Sequence, residues 1–255
     1  SKFKKLLKSE VHKLSFIMSK SDANMGNKIV FEKRVIPISQ KQLDIQERIE
    51  KEFILPLSNP QNEKRFLSTK WKPVQWTWLS QLAGGFIQGH FKFKDKAWEL
   101  ISLIQGELKQ EQIVVWFRFN FEIVGVSEIL CRKGISHVII TGKVPSEDRW
   151  PLIQKFQNKK VQVILIQSKI GLYSLNLSAA DTAIYYSNSF SLETRSQTVE
   201  RIEHPIKKQP LLIIDLITTD SMDEHIIKVL NRKIKQSNYY LRKEVLDTIR
   251  RKYAQ

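Results

Sequence analysis

The amino-acid sequence predicts an α/β fold: a parallel sheet with flanking helices, preceded by a mainly helical region and followed by a long basic helix. Three observations predict it. From Ile113 onward, short apolar runs alternate with helix-length amphipathic segments, the rhythm of β-α-β units. The 255 residues are 42% hydrophobic with only nine Gly and eight Pro, a composition able to bury a sizeable core. The stretch 226–255 joins an apolar stripe to nine basic and two acidic side chains, 9 − 2 = +7.

Taken in order, residues 1–37 form a basic segment. Between Lys2 and Arg34 nine basic side chains face three acidic ones, 9 − 3 = +6, the pattern of a solvated face. Residues 38–109 are read as a helical insertion. Ser39 and Gln42 stand as a capping pair ahead of Ile45, Ile49 and Phe53, spaced i, i+4, i+8 on one helical face. Leu55-Pro56-Leu57 ends that helix, and SNPQNEKR at 58–65 reads as an exposed loop. The tryptophans Trp71, Trp76 and Trp78 resume an apolar pattern, and Ala97, Ile101, Ile104 and Leu108 give a second helical stripe. Residues 110–219 hold the sheet. Strands are expected at Ile113–Phe117, Val138–Ile140, Val161–Ile166, Ala183–Tyr186 and Leu211–Leu216, with helices near 121–131, 147–157 and 192–202. Pro151 sits awkwardly inside the second of these helices. In residues 220–255, Ser221 and Glu224 form a capping box ahead of a terminal helix whose apolar face runs Leu230, Ile234, Leu241, Val245, Ile249, Tyr253.

Charge and composition exclude several classes. With 42 Lys+Arg against 26 Asp+Glu the net charge is +16, which points to a polyanionic partner. Cys131 is the only cysteine, so intramolecular disulfides, zinc fingers and other multi-thiolate metal sites are ruled out, in keeping with a reducing, intracellular setting; a buried structural thiol is expected. No apolar run approaches the roughly 20 residues of a membrane span, and the basic N-terminus lacks the features of a secretion signal. His12, His90, His137, His204 and His225 are scattered without metal-ligand spacing, so no metal site is expected. The phosphate-loop patterns GxxxxGKS and GxxxxGKT are missing, and Gly84, Gly85 and Gly89 imitate GxGxxG only weakly.

Two loops that follow strands are candidates for chemistry, because ligands of open α/β sheets bind beyond the carboxyl ends of the strands. Residues 167–177, QSKIGLYSLNL, offer small polar groups and backbone amides suited to an anion, or simply make a strand-to-helix turn. In residues 191–204, Gln197, Arg201 and His204 fall at i, i+4, i+7, placing an amide, a guanidinium and an imidazole on one helical face that can reach a phosphate. A solvated helix with Glu193, Glu200 and Glu203 as ion-pair partners is the alternative.

At these loops QSKIGLYSLNLSAADTAIYYSNSFSLETRSQTVERIEHP resembles the joined motifs V and VI of Swi/Snf-type superfamily 2 helicases. Upstream, VVWFRFNFEIVGVSEIL is similar to the family's motif IV strand and helix, and GISHVIITGKVPSEDRWPLIQKFQN to the segment after it. LLIIDLITTDSMDEHIIKVLNRKIK resembles the closing strand and the helix after it. RVIPISQKQLDIQERIEKEF is similar to the stretch beyond the family's first lobe, and QLAGGFI to a segment of compact prokaryotic and phage members.

The resemblance implies a second RecA-like lobe with a helical insertion before it and a bracing helix after it. It further implies ATP with Mg, held mainly by a first RecA-like lobe of the same polypeptide that carries the phosphate loop, and double-stranded DNA as the track. Motif VI would place Gln197 and Arg201 at the γ-phosphate, an arginine-finger arrangement. His204 stands where the second arginine is usual, and a neutral imidazole does not replace a permanently charged guanidinium; Arg195 or Lys207 is a possible substitute. Motif V would contribute Gly171 and Asn176, although Gly171-Leu172-Tyr173-Ser174 departs from the family's glycine-rich turn. DNA backbone contacts fall to Arg118, Thr141, Gly142, Lys143, Ser168 and Lys169. The reading that follows is the C-terminal motor lobe of a DNA translocase or helicase-like enzyme, inactive alone, from a bacterial, phage or viral source. The alternatives are a DNA-binding module whose motor has decayed and, with less resemblance, an RNA helicase.

Overall fold

The computed structural model describes residues 29–56, 66–170, 175–203 and 210–253, with Pro56, Phe66 and 238–253 described by their backbone alone. In chain order the elements are β1 (Ile29–Ile36), α1 (Gln40–Glu52), β2 (Ile54–Pro56), β3 (Phe66–Ser68), α2 (Lys72–Ala83), β4 (Phe86–Ile87), β5 (His90–Phe91), α3 (Asp95–Gln105), β6 (Ile113–Phe117), α4 (Asn120–Arg132), β7 (His137–Ile140), α5 (Ser146–Gln157), β8 (Val163–Gln167), β9 (Thr182–Tyr185), α6 (Leu192–Glu200), β10 (Leu211–Thr218) and α7 (Met222–Tyr253). Six strands form one parallel sheet in the order β1-β10-β9-β6-β8-β7, and β2-β3 and β4-β5 are small antiparallel pairs. None of the described helices is long and apolar enough to cross a membrane.

Both faces of the sheet are covered, which is why its central strands read as unbroken apolar runs rather than alternating ones. Every residue of β6 and β9 is buried. One face packs Val115, Phe117, Val163 and Leu165 against Leu100 and Ile104 of α3 and Ile123 and Val126 of α4. The other packs Val114, Trp116, Ile164 and Ile166 against Ile153 and Phe156 of α5 and Ile202 after α6. A third cluster joins Ile49 of α1, Trp78 and Leu82 of α2, and Ile226 and Leu230 of α7.

The expected α/β architecture is present, and strand and helix ends fall within a residue or two of expectation. Three readings are corrected. Residues 29–36, read as part of a solvated basic segment, are an edge strand paired in parallel with β10. The charges that hid it are used: Arg34 binds Glu32 at 2.7 Å and Glu107 at 2.5 Å. Phe53, read as a buried helical position, caps α1 in the left-handed conformation at φ 57°, and the chain turns there into β2 before reaching Pro56. Cys131 is exposed on α4, not buried. Residues of the helical insertion share the sheet's core, since Ala97, Leu100 and Ile104 pack with Ile113 and Val115. The loop expected at 58–65 lies outside the described residues.

Two buried polar networks hold the helices in place. Lys96 of α3 lies 2.5 Å from Asp223 of α7, with both side chains almost fully buried. Asp223 also accepts the Thr218 amide at 3.1 Å, and Thr218 Oγ1 donates to the Ala83 carbonyl at 2.9 Å, so α2, α3, β10 and α7 meet at one knot. Beside it Glu122 is fully buried, accepting Ser187 Oγ at 2.5 Å and the Phe119 amide at 3.2 Å through Oε2. Its Oε1 has no partner among the described residues. A Cβ on Gly84 would collide with that oxygen, so Gly84 has no room for a side chain.

The second network fixes α6. Asp215, the one carboxylate in the β10 run LLIIDLIT, receives Nη1 and Nη2 of Arg195 at 2.7 and 2.9 Å and Asn188 Nδ2 at 2.9 Å. The Arg195 guanidinium lies 3.5 Å from the centre of the Tyr185 ring, and the Tyr185 hydroxyl pairs with Thr198 Oγ1 at 2.6 Å. Breaking one side of a buried pair strands the other charge, which typically costs about 3–5 kcal/mol.

Two outcomes are expected. Asp215→Ala lowers urea-unfolding stability by about 3–5 kcal/mol, and the exchanged pair Arg195→Asp with Asp215→Arg recovers part of that loss. Burial pushes the Glu122 carboxyl up from 4.5 to about 7 against the pull of its Ser187 bond, the Lys96 charge and its Phe119 bond. A folded-state pKa above the unfolded one means stability is intact below pH 4.5 and is lost as pH rises toward about 7. Glu122→Gln removes that loss, so unfolding measured at pH 5 and at pH 8 favours the variant at the higher pH by on the order of 3 kcal/mol relative to the lower. Equal pH dependence in the two proteins contradicts the assignment.

Candidate functional site

The carboxyl ends of β6, β8 and β9 open into one cleft of about 670 Å³. It lies where successive connections carry the chain to opposite sides of β6, the place where open α/β sheets bind ligands. Arg118 and Lys169 supply two cations, and no carboxylate lines the cleft among the described residues. The amino-terminal ends of α4 and α6 face it through Asn120, Ser191 and Thr194, adding the positive ends of two helix dipoles.

The expected DNA-contact residues fall into two groups on neighbouring strand ends. Arg118, Ser168 and Lys169 line the cleft itself. Arg118 Nη1 donates to Ser80 Oγ of α2 at 2.9 Å and its guanidinium lies 5.0 Å from the Phe119 ring centre, so the fork is oriented before any ligand arrives. Burial lowers its pKa, partly offset by Glu122 and Asp223, and an arginine keeps its charge regardless. Ser168 is buried and its amide donates to the Phe117 carbonyl, whereas Lys169 is exposed. Thr141, Gly142 and Lys143 leave β7 one strand further out. Thr141 Oγ1 accepts the Lys143 amide at 3.3 Å, which shapes the loop and leaves Gly142 and Lys143 exposed. A Cβ on Gly142 would find only Gln167 Oε1, at 3.8 Å, so this loop adjoins the end of β8. Three adjacent strand ends span about 10 Å.

The residues that resemble motif VI lie on α6. Ser191 Oγ caps the helix by accepting the Thr194 amide at 3.1 Å, and Gln197 donates to Glu193 at 3.2 Å. The helix ends at Glu200 with Arg201 as its cap, so Gln197 and Arg201 share a face but the face does not continue to a third position. His204, Gly171 and Lys207 lie outside the described residues, as does the whole departure at 171–174. Asn176 is exposed; its Oδ1 accepts the Ser178 amide at 3.0 Å, making a local turn, and its carbonyl accepts Gln157 Nε2 at 2.9 Å. The two loop segments are tied by the Leu177 amide, which donates to the Arg201 carbonyl at 3.0 Å.

Gln197 and Arg201 are both partly exposed on this edge, and the sequence has no phosphate-loop pattern. Arg195 does not stand in for a second motif VI arginine: both of its terminal nitrogens are spent on Asp215 and Asn188 inside the fold. Sequence reasoning missed Asn120, Ser191 and Thr194 as cleft residues. Their signal was present in part, since each stands at a helix start, but which helix starts share a cleft depends on strand order.

Comparison with known proteins agrees with this geometry. The helicase conserved C-terminal domain family matches residues 95–204. The chain is similar to the DNA repair and recombination protein RDH54 of Saccharomyces cerevisiae, 27% identical over 142 residues that cover 54% of this chain and 15% of that protein. It is also similar to the ATP-dependent helicase fft1 of Schizosaccharomyces pombe, 26% identical over 165 residues, 61% of this chain and 18% of that protein. The chain therefore spans less than a fifth of the length of these relatives, and both are eukaryotic, so they lend no support to the expected bacterial, phage or viral source. The crystal structure of the C-terminal part of the Fun30 ATPase domain superposes with a TM-score of 0.61 at 15% identity, over 80% of this chain and 90% of that one, which establishes the fold. Residues 95–204 thus match a helicase C-terminal domain family, the chain is similar to ATP-dependent helicases, and its α/β fold is the RecA-like fold of the Fun30 C-terminal part.

Proposed function

We propose that this chain is the C-terminal motor lobe of an intracellular ATP-dependent DNA translocase or helicase-like enzyme. The observation that carries the reading is the cleft that joins Arg118, Ser168 and Lys169 at adjacent strand ends and is free of carboxylates among the described residues. Such a surface suits a phosphate backbone, because Lys, Arg, hydroxyls and helix amino-termini bind phosphate without reading sequence. Lys143 and Gly142 extend it along β7, and the net charge of +16 favours the encounter. Double-stranded DNA is the proposed track.

ATP would be held with Mg by a first RecA-like lobe of the same polypeptide, and its hydrolysis would supply the free energy of movement. This chain's part is to present Gln197 and Arg201 to the γ-phosphate, with Asn176, Gly171 and His204 as the further residues on the nucleotide side. Arg201 bears the main role, since only a guanidinium keeps a fixed fork of donors for developing phosphate charge.

A second reading, a DNA-binding module whose motor has decayed, is favoured by one specific observation. With Arg195 bound to Asp215, one of the two residues that could offset the loss of an arginine at His204 is unavailable to a nucleotide.

Two measurements test these readings. Fluorescence anisotropy with a labelled duplex across a salt series is expected to show steep loss of affinity with salt, shallower by about one phosphate contact in Lys143→Ala and in Lys169→Ala. Binding that is absent at low salt overturns the DNA reading. With a first lobe carrying a phosphate loop joined to this chain, Arg201→Ala is expected to lower DNA-stimulated ATP turnover by roughly 10³-fold or more. Duplex binding without any ATP turnover in the wild-type joined protein decides for the decayed module.

A further inference from the structure

The tryptophans of α2 divide between core and solvent. Trp78 is 8% exposed and packs with α1 and α7, whereas Trp71 and Trp76 are 74% and 43% exposed. Exposed indoles of this kind mark a contact surface. Their position relative to the cleft gives the partner. Ser80, Thr77 and Pro73 follow one another along a single face of α2: Ser80 binds Arg118, Thr77 lines the cleft, and Thr77 Oγ1 donates to the Pro73 carbonyl. The amino-terminal end of α2, bearing Lys70, Trp71 and Lys72, lies roughly 13 Å along the axis from Ser80 at the helical rise per residue. Trp76 leans on Phe190, another cleft residue, with ring centres 5.9 Å apart. From Thr69 to Ala83 there is no acidic residue. Trp76 also lines a separate hollow with Glu50, Asp220 and His225, its ring centre 6.4 Å from that of His225.

Resting on the reading of the cleft as a DNA track, we propose that the amino-terminal end of α2 is a second contact with the same duplex. Lys70 and Lys72 meet phosphates, and the indoles of Trp71 and Trp76 pack on deoxyribose and base edges beyond the reach of the cleft. The two kinds of contact differ in their salt response: a lysine on a phosphate releases counterions and an indole does not.

The test is anisotropy with a short labelled duplex and a matching single strand, through a salt series, on the whole chain and its variants. Trp71→Ala is expected to weaken duplex binding by roughly five- to tenfold at every salt concentration without changing the salt slope, and Trp71→Phe to keep most of the affinity. Lys70→Ala is expected to weaken binding and reduce the slope by about one phosphate contact. The melting curve of each variant, compared with that of the wild type, serves as the folding control. Wild-type affinity in Trp71→Ala and Lys70→Ala, alongside weakened Lys143→Ala, overturns this inference and leaves the cleft reading intact. Loss confined to the single strand overturns the duplex assignment, and absence of any wild-type DNA binding overturns both readings.

Discussion

The geometry of the candidate site depends on the ion pair between Arg195 and Asp215. Asp215 lies in the middle of β10 and is largely buried, so its carboxylate is costly unless it is paired and its lone pairs are filled. Arg195 meets that demand with two parallel hydrogen bonds, Asn188 adds a third, and Tyr185 covers the guanidinium face. The donor sits on α6 and the acceptor on the sheet, so a charge that must be neutralised also sets the position of a helix. The Tyr185 hydroxyl bond to Thr198 prevents α6 from turning about that single anchor.

The knot around Lys96 and Asp223 plays the same part for the helices of the insertion. It holds residues of the insertion on the lobe: α2 ends against the sheet through Ala83 and Thr218, and α7 begins there through Asp223. Glu122 sits against this knot with one oxygen unpartnered among the described residues, and Gly84 gives up its side-chain space to that oxygen. The hydroxyl of Tyr186 closes the group by donating to the Gly84 carbonyl at 2.8 Å.

The elements that sequence revealed are those whose environment is uniform along their length. β6 and β8 are buried on both faces, so Ile113–Phe117 and Val163–Gln167 appear as apolar runs, and α3 buries one stripe, so Ala97, Ile101 and Ile104 keep helical spacing. β1 was hidden because it is an edge strand in which Glu32 and Arg34 pair with each other while Phe31 and Val35 stay largely exposed, reversing the usual pattern of burial. The site was legible only as two loops. Gln197 and Arg201 were visible by their spacing, and the lysines of the strand ends by family resemblance, but the separation of Trp71 and Trp76 from Trp78 needed the third dimension, since all three fall in one apolar stretch. Arg195 was legible as a cation and not as a structural one, because its partner lies twenty residues away on a strand.

Within the proposed reading, α6 is the part that links track to fuel. Its nine residues make a rod of about 13 Å. The amino-terminal end, with Ser191 and Thr194, lines the phosphate cleft, and the carboxyl-terminal end presents Gln197 and Arg201. A rod this short does not bend, and it is fixed near its middle by Arg195 and Thr198. A displacement at the Arg201 end is therefore carried to the cleft end, or else the anchor on Asp215 must give way. Because that anchor is bidentate and buried, giving way is the costlier outcome, and the lobe moves as a body with its helix. Coupling between the two ends then follows from the stiffness of one helix and the depth of one ion pair, without any relay of smaller shifts between them.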